Sequence, residues 1–347
     1  MQKSQPPLTT TTIPRVPNNL TSVQPAHRQA VAPSISCILP AYNEAVNLRG
    51  LVPQVVAELG ALSPQFEVIV VDDGSRDDTA LVMHGLCAAH AQLIYVQLSR
   101  NFGKEAALTA GLDIGEGAVT VMMDADGQHP LSLLAPMLAK WQQGVDVVYA
   151  VRRTRSDQSA LQRRLTSLFY VLINWGSHVE IPVDAGDFRL MDRKVVEALK
   201  TLPERNRFMK GLYAWVGFRS EEIEYHPLPR AEGTSKFGLR RAMTLAVTGM
   251  LAFTTVPLRL TMWLGLLMAV GAVGYGLWEV LEYFIQDKTV PGYATIVVGV
   301  MFLSGVQLLA IGILAEYVGR IYDEVKRRPT YLVMQRTGHG LAESRES

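Results

Sequence analysis

Cysteine is nearly absent from this chain: Cys37 and Cys87 are the only two in 347 residues. One lies in an apolar run and one in a helical pattern, so both read as reduced core residues and a disulfide framework is excluded. A charge excess of either sign is missing as well. Lys and Arg number 33 against 32 Asp and Glu, a net charge of +1, so no overall field draws nucleic acid and any basic patch must be local. No G-x-G-x-x-G fingerprint and no Walker A sequence occurs, which removes the main support for a dinucleotide oxidoreductase or a P-loop NTPase. Residues 1–33 lack any apolar run. They are rich in Thr, Pro, Gln and Asn, show no signal-peptide core, and are expected to form a disordered tail.

Two stretches lack charge altogether: Leu260–Trp278, 19 residues, and Ala294–Ala315, 22 residues. At about 1.5 Å per residue they span roughly 28 and 33 Å, against a hydrocarbon core of about 30 Å. Helices of soluble domains seldom avoid charge for so long, so the pattern predicts transmembrane helices over 260–285 and 294–318. Gly265, Gly271, Gly274 and Gly276 in the first, and Gly299, Gly305 and Gly312 in the second, permit close helix contact in lipid. Arg240, Arg241 and Arg259 precede the pair; Arg320, Lys326, Arg327 and Arg328 follow it; the intervening loop, 286–293, carries only Lys288 as a basic residue. By the positive-inside rule that loop is extracytoplasmic, while the body of the chain and both termini, including a 319–347 tail, face the cytoplasm. The 237–259 region mixes a basic start with apolar residues. It reads equally as an interfacial helix lying on the bilayer and as a linker helix packed on the domain.

What the chain does contain, over 34–236, is an alternation of short apolar runs with helical stretches. The runs are Ile35–Leu39, Val68–Val71, Leu93–Gln97, Val119–Met123 and Val145–Val151; the helical stretches lie near 46–60, 77–90, 104–115 and 131–143. This order predicts an α/β domain with a mostly parallel sheet and helices on its faces. Polar motifs fall at the C-terminal ends of the runs, the edge at which open α/β sheets bind ligands.

The strongest motif is Asp124-Ala125-Asp126-Gly127-Gln128, after the fourth run. Two carboxylates one residue apart on a turn face a hard cation together, a neighbouring diphosphate completes the oxygen shell, and Gln128 adds a neutral oxygen; Mg²⁺ and Mn²⁺ prefer such sites. Asp72-Asp73-Gly74-Ser75 repeats the arrangement after the second run. A carboxylate there accepts hydrogen bonds from a uracil N–H or a ribose hydroxyl, or else the segment caps the next helix through Ser75 or Asp77. Pro40, Tyr42 and Glu44 offer an aromatic surface and polar groups after the first run, and Lys104 opens a helix after the third, where backbone and ammonium approach phosphate.

Together, Ile38-Leu39-Pro40-Ala41-Tyr42-Asn43-Glu44, Val71-Asp72-Asp73-Gly74-Ser75 and Asp124-Ala125-Asp126-x-Gln128 resemble the inverting glycosyltransferase family 2, whose fold is GT-A. Gly186-Asp187-Phe188-Arg189-Leu190, Arg207-Phe208-Met209-Lys210-Gly211, Gly233-Thr234-Ser235-Lys236 and Glu316-Tyr317-Val318-Gly319-Arg320-Ile321-Tyr322 narrow the resemblance to the polyisoprenyl-phosphate glycosyltransferases. Within that group the two C-terminal spans and the Gly-Arg-Ile-Tyr ending resemble the bactoprenol glucosyltransferase branch most. The likeness runs over about residues 34–335. Departures fall at Gly127, where a bulky apolar residue is usual, and at His129-Pro130, where an acidic residue and two prolines are usual.

The resemblance implies a set of roles. Asp124, Asp126 and Gln128 would hold Mg²⁺ or Mn²⁺ on the donor diphosphate, and Asp73 with Asp72, Pro40, Tyr42 and Glu44 would hold the nucleoside of a UDP-hexose. Asp187 would be the base or acceptor-positioning group. Arg152, Arg163, Arg230, Ser235 and Lys236 would hold the phosphate of a polyprenyl lipid, Arg152 beside the chemistry, since arginine's planar fork suits phosphate oxygens. Leu165–Trp175 reads as a membrane-dipping acceptor helix or as core. The Q-x-x-R-W signature of processive polysaccharide synthases is absent. The implied protein is a multi-pass enzyme of the inner (plasma) membrane with no nucleic-acid partner, and the glycine-bearing spans point to a homo-oligomer.

Overall fold

Four apolar runs become a parallel sheet because each is shielded from water on both faces. A computed structural model describes residues 32–152, 185–205, 207–226, 256–286 and 292–341. The chain runs β1 (Ile35–Ala41), α1 (Ala45–Leu62), β2 (Phe66–Asp72), α2 (Thr79–Ala89), β3 (Leu93–Leu98), α3 (Lys104–Ile114) and β4 (Val119–Met122). Every residue of β2 and β4 is buried, the signature of a sheet with helices on both sides. Strand periodicity divides the core. Cys37, Leu39, Val68 and Val70 pack with Leu48, Val52 and Val55 of α1 and Met83 of α2. Ile38, Ile69 and Val71 pack on the other face with Ala107, Leu108 and Ala110 of α3. Burial pushes the Cys37 thiol up to about 12, which keeps it a protonated, inert core group.

After β4 a single 3₁₀ turn (Leu131–Leu133) leads into α4 (Leu134–Gln142), then β5 (Val147–Arg152), β6 (Ala185–Asp192), α5 (Arg193–Thr201), α6 (Met209–Trp215) and β7 (Ser220–Tyr225). With a last strand, β8 (Val333–Thr337), the sheet order is β7-β5-β6-β4-β1-β2-β3-β8. The β1–β4, β1–β2 and β2–β3 pairs are parallel, whereas β6 is antiparallel to both β4 and β5. The sequence reading did not anticipate β6. Its insertion matters for the site, because Met122 pairs with Arg189; two residues further along that antiparallel register, Asp187 lies across from Asp124.

Two long helices follow, α7 (Val256–Gln286) and α8 (Tyr293–Val325), of 31 and 33 residues. Each contains a segment long and apolar enough to cross a membrane, Leu260–Trp278 and Val298–Val325, and neither segment is buried inside the protein. Both helices run past the predicted limits, α8 by a further two turns to Val325. Of the 319–347 segment, read as a tail, residues 319–325 complete α8 and residues 326–341 return to the domain. Its residues Val333–Thr337 form β8, antiparallel to β3 at the sheet's free edge. Ser99 N–H donates to the Leu332 carbonyl at 2.9 Å, and the Tyr331 hydroxyl donates to Asp113 Oδ2 at 2.8 Å at the end of α3. Leu341 N–H donates to the buried Glu67 carboxylate at 3.1 Å, whose other oxygen accepts from Ser36 Oγ at 2.6 Å and Glu116 N–H at 2.8 Å. Gly340 is required where this strap crosses Glu67: its φ is +61°, and a Cβ would stand 2.5 Å from the carboxylate. The strap thereby covers an edge that would otherwise present unpaired backbone groups.

Candidate active site

The loops after β1, β2, β3 and β4 gather at one sheet edge, and their polar groups knit them together before any ligand is considered. Asn43, left-handed at φ 55°, donates its N–H to Ser75 Oγ at 2.8 Å and accepts from Arg76 N–H at 2.8 Å. Asp77 accepts from Thr79 N–H at 3.1 Å and from Ala45 N–H at 3.2 Å, so one carboxylate serves the starts of α1 and α2. Gly74, φ +68°, is the residue this crossing demands, since a Cβ would lie 2.5 Å from the Arg100 carbonyl carbon.

Asp72 and Asp73 are drawn into this network. Asp72 is fully buried; it accepts from Ser75 N–H at 2.8 Å and from the Tyr95 hydroxyl at 2.7 Å. Its carboxylate supports the turn from below and is not presented to the crevice. Asp73 accepts from Phe102 N–H at 2.6 Å and Gly103 N–H at 2.9 Å, which fixes the loop leading into Lys104. Burial raises the Asp73 carboxyl, against the pull of those two N–H donors. Of the other residues assigned to the nucleoside, Tyr42 is exposed, Pro40 and Glu44 are half-buried, and Glu44 accepts from Asn47 Nδ2 at 2.6 Å.

The acidic turn after β4 lies on the other side of β1. Lys104 Nζ sits between two carboxylates, 2.5 Å from Asp124 Oδ1 and 2.6 Å from Asp187 Oδ2. Desolvation in the crevice would lower the Lys104 ammonium, but Asp187 and Asp124 outweigh it and hold it well above its usual range. Burial would likewise raise the Asp187 carboxyl; Lys104 and Lys210 outweigh that and keep it well below the carboxylate range. Glu105, next along α3, behaves oppositely. Burial and the neighbouring Asp187 charge push its carboxyl up to about 7.

Gln128 N–H donates to Asp126 Oδ1 at 3.1 Å, and Gln128 Oε1 accepts from Arg152 at 3.3 Å. The turn passes through Gly127 at φ +71°, which gives the departure at this position a conformational reason. His129, the other departure, is buried and accepts the Asp124 N–H on Nδ1 at 3.2 Å. Its ring stacks on Phe188 at 4.7 Å and meets Tyr225 edge-on at 5.9 Å. Burial lowers its pKa, consistent with the neutral ring that an accepting Nδ1 requires. Below Asp187, buried Arg189 lies 3.5 Å over the Tyr213 ring and donates to the Gly186 carbonyl at 2.7 Å.

The structure thus brings together Lys104, Asp124, Asp126, Gln128, Arg152 and Asp187. Arg163, Arg230, Ser235 and Lys236 lie outside the described residues, as do Arg153, Arg164 and the Leu165–Trp175 segment. The sequence reading missed Glu105, His129 and Arg189 as site residues. His129 left a trace as an exchange of residue type beside the acidic motif, and Arg189 as a member of the Gly186–Leu190 motif. Among the described residues no three His, Cys, Asp or Glu side chains are assembled as a metal cage. Two carboxylates and an amide oxygen on one turn instead fit a hard cation that arrives with phosphate oxygens of its own, the usual habit of Mg²⁺.

A four-stranded parallel core, an acidic turn at its carboxyl edge and an antiparallel strand laid beside that turn define a GT-A glycosyltransferase. Glycosyl transferase family 2 matches residues 36–200, and the GtrB C-terminal hairpin matches residues 256–321. A Synechocystis protein described as an uncharacterized glycosyltransferase is 41% identical over 86% of this chain and 94% of its own length. The SfII prophage-derived bactoprenol glucosyl transferase of Shigella flexneri is 40% identical over 86% of this chain and 97% of its own. Among solved structures, the glucosyl-3-phosphoglycerate synthase of Mycobacterium tuberculosis with Mn²⁺, UDP and glucosyl-3-phosphoglycerate aligns at TM-score 0.44 and 18% identity, over 63% of this chain and 78% of that one. The chain belongs to glycosyl transferase family 2, and it is an enzyme of the glycosyltransferase class.

Proposed function

We propose that this enzyme transfers a hexose, glucose, from a UDP-sugar to a polyprenyl phosphate at the cytoplasmic membrane face, with inversion at the anomeric carbon. The observation that carries the reading is the charged cluster of Lys104, Asp124 and Asp187 at the carboxyl edge of the parallel strands. The Shigella flexneri relative is a bactoprenol glucosyl transferase by name, which supports both the sugar and the acceptor. Asp124, Asp126 and Gln128 would hold Mg²⁺ or Mn²⁺. The bound cation would neutralise the departing diphosphate. Asp73, Pro40, Tyr42 and Glu44 would form the nucleoside side of the crevice, and Lys104 would meet the diphosphate.

In the reaction an acceptor phosphate oxygen gives its electron pair to the anomeric carbon, from the face opposite the leaving group. The bond from that carbon to the diphosphate oxygen breaks, and its electron pair leaves with UDP. A phosphate monoester, whose second pKa is about 6, is largely ionised at neutral pH and needs little help from a base. Asp187 would be the base or the group that positions the acceptor, and its pairing with Lys104, which depresses its carboxyl, favours positioning. Arg152, with Arg163, Arg230, Ser235 and Lys236, would hold the acceptor against repulsion from the donor.

Orientation rests on two supports. Basic residues flank the outer ends of α7 and α8, and β8 returns to the catalytic sheet after α8, which puts the end of that helix on the domain's side. The exposed, glycine-bearing helices support a homo-oligomer in the membrane. The decisive experiment incubates membranes bearing the enzyme with polyprenyl phosphate and a panel of UDP- and GDP-sugars, with lipid products read by mass spectrometry. A hexosyl-phosphate lipid from UDP-glucose is expected. Product only from GDP-mannose, a UDP-N-acetylhexosamine or a UDP-aminoarabinose would replace the donor. No product from any would leave a non-catalytic membrane scaffold.

A further inference from the structure

We infer that Lys104 is a displaceable internal cation: without nucleotide its ammonium holds the position beside Asp124 that a divalent metal takes, and the donor diphosphate draws it away. This rests on the proposed metal and nucleotide-diphosphate reading of the crevice and adds to it an order of events. The ammonium lies 2.5 Å from Asp124 Oδ1 and 2.6 Å from Asp187 Oδ2. A divalent cation bound to the same Asp124 oxygen, at about 2.0–2.2 Å, would stand only about 4 Å from that ammonium, and in a crevice shielded from water the two would repel each other. Each therefore weakens the other's hold on Asp124. The backbone of Lys104 is the fixed part, because Asp73 holds the Phe102 and Gly103 N–H groups immediately before it. The side chain is the movable part, 43% exposed and carried on a flexible four-carbon stem.

The surroundings explain why a lysine is needed here. Asp124, Asp187 and Glu105 converge on the start of α3, and Glu105 is already pushed towards its protonated form by burial and the Asp187 charge. Without Lys104 the pole would carry carboxylates that repel one another and attract any divalent ion. With it, a free metal meets an ammonium already paired with both Asp124 and Asp187 and must work against its charge. A nucleotide diphosphate removes that obstacle by giving the ammonium new anionic partners. Metal and donor then bind with positive coupling, and the coupling is reciprocal. The acidic pole thereby binds cations only weakly until a donor arrives.

The test uses the full-length protein in detergent, with Mn²⁺ binding followed by the electron paramagnetic resonance signal of the free ion. Lys104→Met and Lys104→Gln are each checked for folding by thermal melt. In the absence of nucleotide both variants are expected to bind Mn²⁺ at least about tenfold more tightly than wild type, and the gain in Mn²⁺ affinity that UDP confers is expected to shrink by a similar factor. Nucleotide-free affinity equal to or weaker than wild type in the folded variants would overturn the inference. A wild-type arm needs no variant to fold. Saturating Mn²⁺ alone should raise reductive methylation of Lys104, read by peptide mass spectrometry, and unchanged labelling would also overturn it. If wild type binds Mn²⁺ neither alone nor with UDP, the metal reading of the site fails and this inference falls with it; Mn²⁺ binding that needs UDP yet ignores residue 104 sinks the inference alone.

Discussion

Asp72-Asp73 and Asp124-Ala125-Asp126 end the two strands that flank β1, and as sequence they make the same promise: carboxylates released by a buried apolar run. The structure uses them differently. All four oxygens of the first pair accept hydrogen bonds from within the protein, from Ser75, Tyr95, Phe102 and Gly103. The second motif faces a lysine, an arginine-held glutamine and a carboxylate from an inserted strand. One acidic pair builds the crevice and the other furnishes it. The difference is set by neighbours: β3 and its loop crowd over the end of β2, while β6 lies antiparallel beside β4 and brings its own charges.

The sharpest break of this comparison is Asp126→Ala, which should lower transfer on the order of 10³-fold, because several kcal/mol of charge stabilisation at the leaving diphosphate are lost. The folded state should be little changed. Radiolabelled sugar incorporation into lipid checks it, and residual activity within tenfold of wild type would remove Asp126 from the metal site. Asp73→Ala should act through structure as well as binding. Two N–H groups lose their acceptor at a cost of about 1–3 kcal/mol, so the melting temperature and the affinity for UDP should fall together. Tyr95→Phe takes only the hydroxyl donor from Asp72 and should cost about 1 kcal/mol with catalytic rate intact; a lower rate at unchanged melting temperature would put Asp72 in the crevice after all.

The smallest effect concerns Glu105. Its carboxyl rises from an ordinary value of 4.5 to about 7 on folding, through burial and then the Asp187 charge. Between those values the folded protein holds a proton that the unfolded chain has released, so this group's contribution makes stability fall as pH rises from about 4.5 to 7. Glu105→Gln has no proton to lose. Its melting temperature should therefore gain on wild type between pH 5 and pH 8, and a gap that stays constant with pH would refute the assignment.

The parallel half of the domain was legible because burial on both faces makes a strand a largely apolar run, as in Val68–Val71. The strands added after β5 were not. β6 mixes Asp187, Arg189 and Asp192 among core residues, and β7 reads Ser-Glu-Glu-Ile-Glu-Tyr. Both look like surface loop until their partners are known. β8 is harder still, since its partner β3 lies more than two hundred residues earlier, beyond both long helices. The candidate site shows the same division. Asp124, Asp126 and Lys104 follow apolar runs and were found; Asp187 came only through family resemblance; Glu105 and His129 owe their roles to contacts across the fold that no spacing encodes.

β7 is one edge of the sheet and β8 is the other. Among the described residues the chain occupies one rim in β7 before the two long helices and the opposite rim in β8 after them. The β8 strap ties the end of α8 to the catalytic sheet and so would restrict the swivel of the crevice about that helix; cutting the chain before Tyr331 would leave the chemistry in place while freeing the aim.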